Sequence, residues 1–129
     1  MADLRYTKSH EWCSLAGNIA TCGITKHAAD ELNDLTFLDL RVQPGAAIKQ
    51  GQAFGEIDSV KATSELFSPV TGKVKELNGR WKNTDELPVI TKSAESDGWM
   101  LKIEVSDPKQ VEALMTAAQY AKFCADAAH

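Results

Sequence analysis

The chain has no long apolar run among its 129 residues. A membrane-spanning helix needs about 20 consecutive apolar residues, and no stretch of the sequence approaches that length. The opening residues, 1–5, also lack the apolar core of a secretory signal. We therefore expect a cytoplasmic protein without a membrane partner, or a protein of the mitochondrial matrix if a eukaryotic transit peptide has been removed.

Basic residues are not in excess, since 14 Lys and Arg stand against 18 Asp and Glu. The net charge of -4 and the scattered basic positions argue against a nucleic-acid partner, because phosphate binding requires clustered positive charge. A hydrophobic fraction of 43% is enough for one compact core. The composition predicts a single domain over residues 1–129, and we expect a monomer.

Cysteine is scarce as well. Three cysteines are too few for a disulfide scaffold, and their spacing does not match a zinc site, so we predict no metal ligands. A tight turn at Gly17-Asn18 would set Cys13 opposite Cys22 in a hairpin. Cross-strand Cβ atoms lie about 4.5–5.5 Å apart, which leaves two outcomes open: a pair of buried thiols or a disulfide.

Short strand-like segments separated by Gly, Pro and Asn dominate the rest of the pattern, which is typical of a small sandwich or flattened barrel. A short helix over residues 25–32 begins at Thr25 as its N-cap. The apolar spacing after Ser106-Asp107-Pro108 predicts one amphipathic helix over the last ~20 residues. The predicted strands are 11–24 as a hairpin, 35–42, 46–48, 53–58, 63–67, 72–77 and 98–105. The predicted apolar stripe of the last helix is Val111, Leu114, Met115, Ala118 and Ala121.

The segment around Lys61 has the form of a hairpin with a short polar turn at its end. The predicted pairs are Asp58 with Thr63, Glu56 with Glu65 and Phe54 with Phe67. This register sends Ile57 and Leu66 to the opposite face, where they can enter a core. An exposed, protonated lysine is a poor nucleophile by itself, whereas a protruding turn suits acylation by a dedicated ligase.

Several motifs in a fixed order cover nearly the whole chain. They are Tyr6-Thr7-Lys8-Ser9-His10-Glu11-Trp12, Gly23-Ile24-Thr25, Phe54-Gly55-Glu56, Ser59-Val60-Lys61-Ala62-Thr63-Ser64-Glu65, Ser68-Pro69-Val70-Thr71-Gly72 and Gly98-Trp99-Met100-Leu101-Lys102-Ile103, with Tyr120 and Phe123 in the closing helix. In these motifs the sequence resembles the H-protein family of the glycine cleavage system. The resemblance implies a mainly β, lipoyl-domain-like fold and a carrier protein. We therefore expect no enzyme activity, and the sequence shows no nucleophile paired with a base.

The resemblance implies that Lys61 carries lipoate in amide linkage, within an attachment motif that includes Ser59, Val60, Ala62 and Glu65. The dithiolane would carry an aminomethyl group between glycine decarboxylase and aminomethyltransferase, and dihydrolipoyl dehydrogenase would reoxidise it. A lipoate-protein ligase or lipoyl transferase would attach the group. Biotin carriers share the hairpin but usually flank the lysine with methionines, so biotin is disfavoured.

The resemblance also places Ser9 and Glu11, with the glutamate of the attachment motif, in a cleft around the parked arm. Their acceptor oxygens would shelter a charged aminomethyl group, and a solvated face is the equally weighted alternative. We expect His10 to pack or hydrogen-bond near the first strand. We expect His27 and His129 to face solvent, and we assign them no role.

The match weakens outside the hairpin. Asn33 replaces a common glycine, residues 83–97 depart from the family pattern, and Cys13 and Cys22 replace aliphatic residues. These changes spare the attachment motif and lie where partners could bind. An alternative therefore stays open: an H-like lipoate-binding protein of sulfur oxidation that serves a heterodisulfide-reductase-like complex. Glycine cleavage leads because it is the more widespread use of the fold.

Overall fold

The computed structural model describes residues 4–127, which form two antiparallel β-sheets and several helices. The strands are β1 (Leu4–Tyr6), β2 (Glu11–Ala16), β3 (Ile19–Ile24), β4 (Leu35–Leu40), β5 (Ala47–Ile48), β6 (Ala53–Ser59), β7 (Thr63–Phe67), β8 (Gly72–Leu77) and β9 (Leu101–Val105). The helices are α1 (Lys26–Leu32), α2 (Pro88–Ser93), α3 (Lys109–Glu112) and α4 (Ala117–Ala127). One sheet has the order β1-β2-β3-β9-β8-β5, and the other has the order β4-β6-β7. The predicted class, mainly β with a short helix and a C-terminal helix, is confirmed.

Strands β2 and β3 form the hairpin that Gly17-Asn18 predicts, with Cys13 opposite Cys22. Gly17 supplies the left-handed turn conformation, with φ of +64°. Both cysteines are buried and carry free thiols. Burial raises the pKa of Cys13 to about 12 and holds the pKa of Cys22 well above its usual value. The pair is therefore protonated at neutral pH and behaves as small apolar core residues.

Strands β6 and β7 form the hairpin around Lys61. The observed pairs include Asp58 with Thr63, Ile57 with Ser64 and Glu56 with Glu65. The predicted pair of Phe54 with Phe67 is wrong, because the register shifts between Ala53 and Gly55 and sets Phe67 opposite Ala53. Such a bulge adds one residue to one strand and turns the next side chain, and here it leaves Phe54 fully buried.

One apolar core joins the two sheets. It contains Ile57 and Leu66 from the Lys61 hairpin, together with Val74 and Ile103 from the larger sheet. The prediction that Ile57 and Leu66 enter a core is confirmed, since they are 0% and 2% exposed. The hairpin is thereby anchored in the core through both of its strands.

The C-terminal segment forms two helices, so the prediction of a single helix is wrong. Met115 interrupts the helical path, because its backbone N–H and C=O bond to Tyr6 of β1 at 3.0 and 2.9 Å. Thr116 then caps α4, and its hydroxyl accepts a backbone N–H of the first turn at 3.2 Å. Of the predicted stripe, the structure buries Val111, half-buries Leu114 and Met115, and exposes Ala118 and Ala121. In the part of the chain that the structure describes, no helix is long and apolar enough to cross a membrane.

Residues 79–93, for which the sequence predicted no element, fold into two short 3-10 turns followed by α2. Trp81, Leu87 and Ile90 are buried and anchor this segment on the main core. The indole N–H of Trp81 donates to the carbonyl of Trp99 at 2.9 Å. Tertiary anchors of this kind override weak local propensity, which explains why the sequence pattern did not predict the segment.

Candidate functional site

Lys61 lies in the exposed turn of residues 59–62, which we call the tip of the hairpin. Ser59 closes this turn, because its N–H donates to the carbonyl of Ala62 at 2.8 Å. The hydroxyl oxygen of Ser59 also accepts from the N–H of Ala62 at 3.2 Å. Val60 is 72% exposed, and none of the ion pairs among the described residues involves Lys61. The tip therefore presents the Lys61 amine to solvent on a short, internally bonded turn.

The tip is also joined to the rest of the fold, because Ser59 lies opposite Leu35 at the end of the β4–β6 ladder. The N–H of Val60 donates to the carbonyl of Asp34, just before β4, at 3.0 Å. The base of the hairpin, which we define as Phe54, Gly55, Ile57 and Leu66, is packed much more tightly. A Cβ added to Gly55 would lie only 2.4 Å from the carbonyl oxygen of Asp39 in β4. Close backbone contact at the base and the Asp34 bond near the tip together fix the direction of the hairpin.

The structure brings Ser9 and Glu11 together at the start of β2. Ser9 Oγ donates to Glu11 Oε1 at 2.5 Å, and Thr7 Oγ1 donates to the same oxygen at 2.8 Å. The N–H of Phe67 donates to Glu11 Oε2 at 3.3 Å. Burial raises the pKa of the Glu11 carboxyl despite these donors, since the side chain is only 1% exposed. Glu11 thus links the first motif of the sequence to the end of the Lys61 hairpin.

A cavity of about 290 Å³ lies beside this group and is lined by Thr7, Ser9 and Phe67, among others. Glu65 does not line this cavity and does not join the Ser9–Glu11 hydrogen bonds. It lies exposed on β7, opposite Glu56. The sequence grouped Ser9, Glu11 and Glu65, whereas the structure places the first two together and Glu65 on the outer face of the hairpin.

His10 packs and hydrogen-bonds beside β2, as the sequence predicted, with Nδ1 2.6 Å from the hydroxyl of Tyr120. His27, which was expected to face solvent, keeps 35% of its side chain exposed, and its ring also stacks on His10 with the ring centroids 4.9 Å apart. Burial lowers the pKa of His10, and the charge of His27 lowers it further. The sequence pattern did not predict the stacking of the two histidines. The only feature of the sequence that pointed to an aromatic cluster here is the pair Tyr120 and Phe123 in the closing helix. His129 lies outside the described residues.

Comparison with known proteins identifies the family to which the chain belongs. The family model described as glycine cleavage H-protein matches residues 4–127. The chain belongs to the glycine cleavage H-protein family. It is similar to the mitochondrial glycine cleavage system H protein of Flaveria anomala, with 43% identity over 128 residues, which are 98% of this chain and 77% of that protein.

Other members of the glycine cleavage H-protein family give the same result. The mitochondrial H protein of Pisum sativum is 44% identical over 128 residues, which cover 98% of this chain and 76% of that protein. The crystal structure of an H protein from Mycobacterium marinum superposes with a TM-score of 0.82 at 28% identity, over 97% of this chain and 98% of that chain. These relatives are named as glycine cleavage proteins, and none of them supports the sulfur-oxidation alternative.

Proposed function

We propose that this chain is a lipoyl carrier of the glycine cleavage system, with lipoate in amide linkage on Nζ of Lys61. The observation that carries this proposal is the position of Lys61 at the exposed tip, inside the attachment motif, in a chain of the glycine cleavage H-protein family. A side chain that must meet a ligase and several enzymes in turn has to project from the fold. The tip meets this requirement, because β4 and the core hold the strands of the hairpin while residues 60–62 stay exposed.

The residues around Lys61 fix the point from which the lipoyl arm would extend. When bound, the lipoyl group supplies a dithiolane that can accept and release cargo with a change of redox state. Ser59 holds the turn closed and the Val60–Asp34 bond holds it in place, so Nζ moves through the torsions of the Lys61 side chain. The small or apolar neighbours Val60 and Ala62 leave the amine free of competing polar partners at the tip.

Ser9 and Glu11 form the polar end of an arm-docking cleft in this proposal. The support is the cavity of about 290 Å³ beside them and the burial of the Glu11 carboxylate. An aminomethyl cargo is a protonated amine, and hydrogen bonds from charged donors to carboxylates are strong. Thr7 and Ser9 donate to Glu11 in the structure, so docking of a charged donor would replace one of these two bonds. Glu65 would act from the outer face of the hairpin.

The partners follow from this assignment. A lipoate-protein ligase or lipoyl transferase would modify Lys61, and glycine decarboxylase, aminomethyltransferase and dihydrolipoyl dehydrogenase would use the loaded arm. We further propose that residues 1–129 act as one monomeric domain. Its compartment would be the cytoplasm or the mitochondrial matrix, and the relatives from Flaveria anomala and Pisum sativum are named as mitochondrial.

The decisive experiment is intact-mass measurement after incubation with lipoate, ATP and a lipoate-protein ligase. We expect one lipoyl addition on the wild-type chain and on Lys73→Arg, a control at an exposed lysine of β8. We expect none on Lys61→Arg, which keeps the positive charge but has no amine for acylation. Lipoylation of Lys61→Arg, or an unmodified wild type, would refute the attachment site.

The pathway is tested separately by reconstitution. The lipoylated chain, mixed with glycine decarboxylase, aminomethyltransferase, dihydrolipoyl dehydrogenase, tetrahydrofolate and NAD, should support glycine-dependent reduction of NAD, with tetrahydrofolate accepting the one-carbon unit and ammonia leaving. The Lys61→Arg variant should give only the background rate. A lipoylated chain that remains inactive with all three enzymes would contradict the glycine cleavage assignment while leaving the carrier assignment intact.

A further inference from the structure

We propose that His10, His27 and Cys124 form a binding site for a borderline-soft transition-metal ion such as zinc(II). One ligating atom of each side chain lies within 4.8 Å of those of the other two, and all three side chains are partly buried. They come from three separate segments: the loop before β2, helix α1 and helix α4. The proposed carrier function does not use this group.

The distances between the three ligand atoms fit a metal ion after small movements of the side chains. Tetrahedral zinc, with Zn–N of about 2.0–2.1 Å and Zn–S of about 2.3 Å, places its ligand atoms about 3.5 Å apart. The atoms in the structure lie within 4.8 Å of one another, so rotation of the side chains has to close them by roughly 1 Å. Imidazole nitrogen and thiolate sulfur are the donors that zinc and related ions prefer over magnesium or calcium.

Both imidazoles already have the outer hydrogen bond that metal-bound histidines usually make. Nδ1 of His10 lies 2.6 Å from the hydroxyl of Tyr120, and that hydroxyl lies 2.7 Å from Oγ1 of Thr25. Nε2 of His27 lies 3.1 Å from a carboxylate oxygen of Glu31, one helical turn away. Such partners fix the ring orientation and leave the opposite nitrogen for the ion.

The backbone conformation of His10 also supports a binding site at this position. His10 has φ of +69°, a left-handed conformation that is uncommon for residues other than glycine. Two backbone bonds hold it there: its N–H donates to the carbonyl of Thr7 at 3.2 Å, and its carbonyl accepts from Thr25 at 3.0 Å. Backbone strain of this kind persists only where the surrounding structure enforces it, and it concentrates at functional positions.

An ion can reach the group from solvent. A shallow cavity of about 360 Å³ is lined by His27, Tyr120 and Cys124, together with Lys26 and Glu95. Zinc would displace the thiol proton of Cys124 to solvent, and water would complete the coordination. The competing account is aromatic packing alone, since Tyr120 also stacks on Tyr6 with the ring centroids 4.6 Å apart.

The test uses the full chain carrying Lys61→Arg, so that no dihydrolipoyl thiols can bind the ion. Success or failure of this test is therefore independent of the proposed carrier function. Cobalt(II) is titrated first, because a thiolate ligand gives a near-ultraviolet charge-transfer band, and zinc(II) is then used to displace it. We expect one equivalent to bind with that band. Cys124→Ser should abolish the band, and His27→Ala should weaken binding at least ~10-fold.

Two further variants separate ligation from general effects. His129→Ala, outside the described residues, is the histidine control and should bind like the parent. Tyr120→Phe removes the hydroxyl beside His10 and should weaken binding by ~10–100-fold without removing the charge-transfer band. Absence of binding to the parent chain, with circular dichroism showing that it is folded, would overturn the proposal in favour of aromatic packing. Binding that survives both Cys124→Ser and His27→Ala unchanged would overturn it as well.

Discussion

At the tip of the β6–β7 hairpin Val60 is 72% exposed, whereas Ile57 in β6, three residues earlier, is completely buried. The tip is held by hydrogen bonds within one turn and by the end of the β4–β6 ladder, where Ser59 lies opposite Leu35 and Val60 donates to Asp34. The base is held by the core that joins the two sheets and by the close approach of Gly55 to Asp39. The comparison indicates that stability is concentrated at the base and that the tip is left free for chemistry. Each of the following predictions tests this division.

The largest loss of stability is expected from Ile57→Ala at the base. Removing this fully buried side chain leaves a cavity in the shared core, which typically costs ~2–5 kcal/mol of the free energy of unfolding. Urea denaturation measures the loss. Val60→Ala at the tip is the matched control and should change stability by no more than ~0.5 kcal/mol. Equal losses for the two variants would contradict the division between base and tip.

A somewhat smaller loss is expected from Gly55→Ala. The new methyl group would lie 2.4 Å from the carbonyl oxygen of Asp39, and a backbone oxygen in a paired strand cannot move aside alone. Overpacking of this kind costs ~1–3 kcal/mol. Gly79→Ala provides the comparison, because no atom lies within 4 Å of its added Cβ. If thermal denaturation shows the same shift for both variants, close packing at Gly55 is not the cause.

A pH-dependent effect is expected at Glu11, whose carboxylate accepts from Phe67 near the base. Burial raises the pKa of Glu11, so the folded protein binds this proton more tightly than the unfolded chain does. The resulting stabilisation is complete below the ordinary pKa of 4.5 and is lost as the pH rises through the raised pKa. Since Gln cannot titrate, the stability of wild type relative to Glu11→Gln should fall as the pH rises. A difference independent of pH would argue against this titration.

The smallest change in stability is expected from Lys61→Arg. Lys61 is exposed at the tip, so its replacement should alter the free energy of unfolding by no more than ~0.5 kcal/mol. The same variant should nevertheless lose the entire lipoyl addition. Denaturation and intact mass, measured on one preparation, test both statements. A clear loss of stability would show that the tip also supports the fold.

The sequence predicted the parts of the fold that depend on local patterns. The turn at Gly17-Asn18 and the alternation along residues 53–67 are local, and the observed registers follow them except at one bulge. The predictions fail where contacts between residues far apart in sequence determine the local structure. Met115 leaves the helical path to pair with Tyr6, and the burial of Trp81 and Ile90 organises a segment with weak local propensity.

The two candidate sites also differ in how far the sequence could predict them. Lys61 could be predicted because its motif and both strands of its hairpin are contiguous in sequence. The group of His10, His27 and Cys124 could not, because α4 brings Cys124 to the other two only through the tertiary packing of Tyr120 and Phe123. Sequence spacing therefore excluded a metal site on the cysteines alone, whereas the fold adds two histidines to one of them.

The bond between Val60 and Asp34, at the end of the β4–β6 ladder, has a consequence for transfer between enzymes. If lipoate is attached at Lys61, the point from which the arm swings is fixed relative to the body of the protein. Cargo on the dithiolane is then confined to a small volume around that point, and a docked enzyme meets it at an effective concentration of about mM, as for short tethers. Encounter between enzyme and cargo then depends on how the body docks, because diffusion of free cargo no longer limits it.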